Sequence, residues 1–195
     1  MTRKRVGILI SGRGSNMSAL IEAARSPDYP AEIVGVLSNR AAAPGLATAA
    51  AEGIATASLA QSKFPTRDMF EDVMTQTLES WDLDIVCLAG FMRILGDDFV
   101  NHWAGRMINI HPSLLPLYKG LHTHERALAD GARVHGCTVH FVTPGLDEDA
   151  AILQAEVPVL PGDTADSLAA RVLIEEHRIY PEALRLLASG KIAAP

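Results

Sequence analysis

The stretch 5–26, "RVGILISGRGSNMSALIEAARS", sets the architecture of the whole chain. Residues 5–11 form a nearly continuous apolar run, as expected of a strand buried on both faces of a parallel sheet. Two glycines then break the chain. Helical spacing follows at Met17, Leu20, Ile21 and Ala24. Strand, glycine turn and helix in this order make a βα unit, and the pattern repeats. Residues 32–38 read as a strand, and 44–53, "PGLATAAAEG", as a helix with proline at its first turn and glycine past its end. A short extended piece, "IATAS", precedes a helix at 66–79. A strand at 84–90, a helical stretch at 97–103 and the strand "MINI" at 107–110 complete the series. Repeated βαβ units predict an α/β fold with a doubly wound, mostly parallel sheet.

The character changes after residue 124. Residues 133–143 alternate, residues 150–160 are again extended, and the polar turn "PGLDED" separates them. This predicts an antiparallel strand pair added at the C-terminal side of the sheet. A long helix at 164–187 ends the fold, with Thr164 as its N-cap. No repeat or linker interrupts the chain, so 1–195 is expected to be a single domain.

The bulk properties narrow the function. The 195 residues carry a net charge of −6, with 48% hydrophobic and 21% charged residues. That balance argues against a nucleic-acid binder. No run approaches the roughly 18 apolar residues of a membrane span, and the apolar stretch after the basic start is too short for a signal peptide. The two cysteines, Cys87 and Cys137, have no partner at metal or disulfide spacing, so they are expected to be reduced thiols in a cytoplasmic protein.

Three stretches carry candidate chemistry. In "SGRGSNM", 11–17, a strand end, two glycines and a helix start would aim backbone N–H groups at one point. With neither a third glycine nor a GK[ST] ending, the loop suits a phosphomonoester, or it is simply a tight βα turn. In "NIH", Asn109 and His111 lie two apart on an extended segment and share a face at the carboxyl end of a strand. An amide and an imidazolium can both donate to a developing oxyanion; the alternative is a structural histidine. An aspartate of "GLDED" could pair with His111 and favour its charged form, unless that segment is only a solvated turn. His111, His122 and His124 have no carboxylate at ligand spacing, so no metal is expected. No G-x-S-x-G elbow points to a serine hydrolase.

Five motifs in order, "GRGSNM", "LAGFMRIL", "NIHPSLLP…GLHTH", "GCTVHFVT" and "EEHRIYPEAL", resemble the glycinamide ribonucleotide transformylases, from Val6 to about Ile192. The resemblance implies a Rossmann-like formyltransferase fold. It also implies transfer of a formyl group from 10-formyltetrahydrofolate to 5'-phosphoribosylglycinamide in purine biosynthesis, by a monomer or weak homodimer acting on small molecules. Residue by residue, Gly14, Ser15, Asn16, Met17 and Ser18 match the family's phosphate loop, and Glu176 matches a carboxylate on the same substrate. Arg67, Met92, Arg93, Ile94 and Leu95 match the folate site. So do Asn109 and the later loop Thr143, Pro144, Gly145, Leu146 and Asp147. Asn109, His111 and Asp147 match the catalytic trio, with His111 as general acid. Glu148 and Asp149 stand where the family commonly has glycines, which adds negative charge beside Asp147.

The nearest rival, formyltetrahydrofolate deformylase, shares the trio but usually has an extra N-terminal domain, whereas this sheet begins near Arg5. Methionyl-tRNA formyltransferase carries a further C-terminal domain. A non-catalytic nucleotide- or folate-binding module would not need Asn109, His111 and Asp147 together.

Overall fold

The computed structural model describes residues 2–144 and 151–193. Its elements run β1 (Lys4–Ile10), α1 (Ser15–Ala24), β2 (Ala31–Ser38), α2 (Pro44–Ala51), β3 (Ala55–Ser58), α3 (Arg67–Glu79) and β4 (Ile85–Leu88). Then follow α4 (Asp97–His102), β5 (Met107–His111), α5 (Thr123–Ala129), β6 (Val134–Phe141), β7 (Ala151–Pro158) and α6 (Ala165–Ala188). The strands make one seven-stranded sheet of order β3-β2-β1-β4-β5-β6-β7. Pairings from β3 to β5 are parallel. β6 then runs antiparallel to β5, and β7 antiparallel to β6. The doubly wound sheet with an antiparallel C-terminal pair is therefore the observed fold. The short helix α5 was not anticipated: it spans fewer than two and a half turns, too few for periodicity to register.

Alternation along the central strands sorts two apolar layers. Ile8, Ile10, Cys87, Ile108 and Ile110 face α1 and α6, packing with Met17, Leu20, Leu168, Val172, Tyr180 and Leu184. Leu9, Val86, Leu88 and Met107 face α3 and α4, packing with Phe70, Met74, Leu78, Phe99 and Trp103. Burial on both faces explains why these strands read as unbroken apolar runs. Thr164 does cap α6: its hydroxyl accepts the Ser167 N–H, while the Ser167 hydroxyl accepts that of Thr164.

Strand order reverses between β1 and β4. At such a switch the connections leave in opposite directions, opening a crevice at the carboxyl ends of the strands. The tip of β1 (Ser11), the turn after β4 (Gly90) and the end of β5 (His111) all lie at that edge. The Ser11 N–H donates to the Gly90 carbonyl at 3.1 Å, joining the two sides of the switch. From beneath, the buried Tyr180 hydroxyl reaches the carbonyls of Leu88 (2.8 Å) and Ile108 (3.1 Å), holding β4 and β5 together just below their tips.

Candidate active site

A recess of about 280 Å³ lies over the switch, between the glycine loop (Ser11 to Asn16), Arg40 after β2, and Ala89, Gly90 and Met92 after β4. Gly14 is the N-cap of α1, in the left-handed region at φ 72°. That backbone conformation favours glycine, and a Cβ there would also stand a tight 3.0 Å from the end of the Met17 side chain. No side chain caps α1 and no acidic residue sits in its first turn, leaving the positive helix end facing the recess. Arg13 and Arg40 line the same space. The motif reading missed both arginines as anion partners; the cue was the Arg inside "SGRG", whereas Arg40 becomes a neighbour only through the β1–β2 pairing. A larger recess of about 660 Å³ lies between α3 and α4, walled by Asp68, Glu71, Asp72, Asp97 and Asp98. Arg67 and His102 also line it, but its five carboxylates would repel a phosphate.

The expected phosphate-loop residues play unequal parts. Ser15 is exposed at the helix start. Met17 is fully buried in the core, so only its backbone can face a ligand. The Ser18 hydroxyl turns back to the Gly14 carbonyl at 3.1 Å. Asn16 donates from Nδ2 to Glu176 Oε2 at 2.6 Å across 160 positions of sequence, which brings the two ends of the expected substrate site together. Glu176 is 7% exposed. Burial pushes its carboxyl above the ordinary range, and the Asn16 bond opposes that shift.

On the other side, Asn109 and His111 share the face of β5 opposite Ile108 and Ile110. In register across the antiparallel pair stand His140 and Thr138. The His140 Nδ1–H donates to the Phe141 carbonyl at 2.9 Å, which makes Nε2 the acceptor; the Asn109 amide donates to it at 3.1 Å. His140 therefore orients Asn109. His111 is 6% exposed. Its Nε2 faces the Tyr118 carbonyl at 3.0 Å; a carbonyl only accepts, so Nε2 carries the hydrogen and the ring plane is fixed.

Tyr118 belongs to the loop after β5, and side chains hold that loop. The Thr138 hydroxyl donates to the Ser113 carbonyl (2.7 Å) and accepts from the Leu115 N–H (3.0 Å) and Gln154 Nε2 (2.9 Å). Thr123 Oγ1 donates to the Pro112 carbonyl at 2.7 Å. His124, just beyond the loop, is tied to β6: its Nδ1 is 3.1 Å from His135 Nε2. Burial depresses both of these histidines, His135 to about 4; the nearness of His111 adds to both shifts, and that of His124 adds to the shift of His135. His122 does not share that role. Its side chain is 74% exposed, beside Glu125.

The expected folate residues come from several separate segments. Met92 and Ile94 are 61% and 73% exposed, an apolar surface on an irregular segment. Arg67, at the start of α3, is half exposed beside Glu71. Thr143 and Pro144 follow β6 and are exposed. Gly145, Leu146 and Asp147 lie outside the described residues, as do Glu148 and Asp149. Among the described residues, no group of three or more His, Cys, Asp and Glu could hold a metal ion.

The family model described as formyl transferase matches residues 4–184. The chain is 48% identical to the phosphoribosylglycinamide formyltransferase of Escherichia coli (strain K12), over 95% of this chain and 87% of that one. It is 50% identical to the human trifunctional purine biosynthetic protein adenosine-3, but over only 19% of that protein's length. Among solved structures, the phosphoribosylglycinamide formyltransferase of Brucella melitensis superposes with a TM-score of 0.93 at 53% identity, covering 100% of both chains. That of Coxiella burnetii reaches 0.94 at 46% identity, over 99% of this chain and 90% of that one. The chain belongs to the formyl transferase family.

Proposed function

We propose that the protein transfers the formyl group of 10-formyltetrahydrofolate to the glycine amine of 5'-phosphoribosylglycinamide, a step of de novo purine biosynthesis leading to IMP. One juxtaposition carries this reading: a cationic, helix-capped recess opens at the same sheet edge as Asn109 and His111. An anionic substrate held in the first would be tethered with its far end toward the second.

The chemistry asks little covalent work of the protein. The folate donor supplies an electrophilic formyl carbon. The neutral substrate amine attacks it, the bond to the folate nitrogen breaks, and the proton leaving the amine ends on that nitrogen. Glycine-loop amides with Arg13 and Arg40 hold the phosphate. The buried Glu176, fixed by Asn16, accepts hydrogen bonds from the same substrate. Asn109 and protonated His111 stabilise negative charge on the formyl oxygen. As an imidazolium, His111 carries a second N–H on Nδ1 besides the one held by Tyr118. Asp147 favours the charged ring and orders a water that relays the proton. Met92 and Ile94 offer apolar surface to a flat folate ring, with the backbone of 92–95 at its edge. Much of the acceleration comes from holding both substrates at attack distance.

The protein is read as one formyltransferase domain, a monomer or weak homodimer. Its two cysteines are free and buried, in keeping with a reducing cytoplasm. Among the described residues no helix is long and apolar enough to cross a membrane. The test is a formyl-transfer assay with both substrates beside a control lacking the amine. Amine-dependent formylation is expected; formate release without the amine would instead make the protein a deformylase.

A further inference from the structure

The segment 92–95, on which the donor site rests, is neither helix nor strand, and two of its apolar side chains stand in solvent. Such a segment needs an external restraint to keep one shape. It has one at each end. At the first, the Met92 N–H donates to Ser11 Oγ at 2.7 Å. The single hydroxyl proton of Ser11 is committed to Asn39 Oδ1 at 2.5 Å, which turns the oxygen's lone pairs toward Met92. At the second, the Gly96 N–H donates to Glu71 Oε1 at 2.8 Å. Position 96 fits closely: a Cβ there would stand 2.7 Å from Glu71 Oε2. Ser11 and Glu71 are both buried; Ser11 directly follows β1, and Glu71 lies in α3.

We infer that Ser11 and Glu71 are positioning residues for the formyl donor, pinning the donor-binding segment at both ends to the rigid sheet and to α3. The inference rests on the proposed reading of 92–95 as the folate rim. Glu71 would act through Gly96; it also stands 3.8 Å from Arg67, the donor-site candidate on its own helix, and Glu71→Gln, which keeps the acceptor but not the charge, separates the two routes. Ser11, which also borders the phosphate recess, would tie the donor rim to the loop that holds the other substrate. Both bonds are made to backbone N–H groups, so the sequence of the segment can vary while its position is kept.

The test compares Ser11→Ala, Glu71→Ala and Glu71→Gln with the unmodified chain. It measures the KM of each substrate and, by calorimetry, the Kd of tetrahydrofolate alone. Removing the acceptor of a buried N–H should raise donor KM and tetrahydrofolate Kd about tenfold in each alanine variant. The phosphoribosylglycinamide KM should rise less, and by no more than about twofold in Glu71→Ala. Glu71→Gln keeps a carbonyl acceptor and should restore donor binding. Unchanged donor affinity in both folded alanine variants would overturn the inference, as would an equal loss for both substrates. If the alanine variants do not fold, hydrogen exchange of the unmodified chain decides: protected Met92 and Gly96 amides support the pins, and exchange at the rate of an open loop removes them. Absence of formyl transfer by the unmodified chain would count against the proposed activity alone, because amide protection and tetrahydrofolate binding are read without turnover.

Discussion

The two rims of the crevice are built in opposite ways. The proposed phosphate rim is mostly local main chain: Gly12, Gly14 and the first turn of α1 follow one another within a few residues, and Arg40 is added from beyond β2. The proposed catalytic rim, with Asn109 and His111, is made of side chains wired across the fold. Asn109 is set by His140 from the neighbouring strand, and His111 by the carbonyl of Tyr118. The loop bearing Tyr118 is in turn held by Thr138 and Gln154. A main-chain site tolerates side-chain change and fails when the backbone path is altered. A side-chain site fails when one group, or one of its supports, is removed.

The largest effect is expected on the wired side. His111→Ala removes the imidazole while leaving the phosphate recess intact. A drop in kcat on the order of 10³-fold is expected, within the range for loss of a general acid and oxyanion donor. Phosphoribosylglycinamide Kd, measured by calorimetry, should stay within about threefold. Near wild-type turnover would show that His111 has only a structural role. Next comes the support. Thr138→Val keeps the shape but removes one hydroxyl that serves Ser113, Leu115 and Gln154. Stranding a buried amide and carbonyl costs about 2 kcal/mol, or roughly 4–8 °C in melting temperature for a domain of this size. The kcat should fall as well, because the partner of His111 loosens; a stable, fully active variant would show that the wiring is dispensable.

The same contrast explains what was legible in the sequence. The parallel half could be read because both faces of its strands are buried, so apolar runs and glycine breaks mark each βα unit. The alternation of Asn109 and His111 on one face followed from strand geometry alone. The supports did not. His140 and Thr138 oppose those residues only through an antiparallel register that no local pattern encodes. Glu176 and Asn16 meet across 160 residues, and chain order alone does not bring them together. His122 and His124 looked equivalent in sequence, yet the start of α5 between them turns one ring outward to solvent and the other onto His135.

On the phosphate rim the order of effects should invert. Ser15→Ala removes an exposed hydroxyl but keeps every backbone donor, so the phosphoribosylglycinamide KM should rise only about two- to fivefold, the worth of one exposed hydrogen bond. Gly14→Ala adds a single methyl at φ 72°, against Met17. The strain is about 1–2 kcal/mol, and the path of the amides shifts with it. Its KM effect should exceed that of Ser15→Ala, although the lost group is only a hydrogen. Steady-state kinetics on the two variants settle the order; the reverse ranking would mean that the phosphate is held by side chains on this rim too.

The smallest effect falls at Glu176, and its sign is the informative part. Burial raises the Glu176 pKa in the folded protein, with the Asn16 bond as the opposing influence. The folded state therefore keeps the proton to higher pH than the unfolded chain does. The resulting contribution to stability is fully present below the ordinary carboxylate value of 4.5 and is lost as pH rises through the folded value. Glu176→Gln has no such ionisation and still offers Asn16 a carbonyl. The variant should melt above the unmodified protein at pH 7.5, and that advantage should vanish near pH 4, as followed by thermal melts across the range. Its phosphoribosylglycinamide KM should rise, since the negative acceptor is gone. A melting temperature below that of the unmodified protein at pH 7.5 would show that the charged bond to Asn16 outweighs burial. Glu176 would then be a structural tie between α1 and α6 rather than a carboxylate kept buried, at a cost in stability, for the substrate.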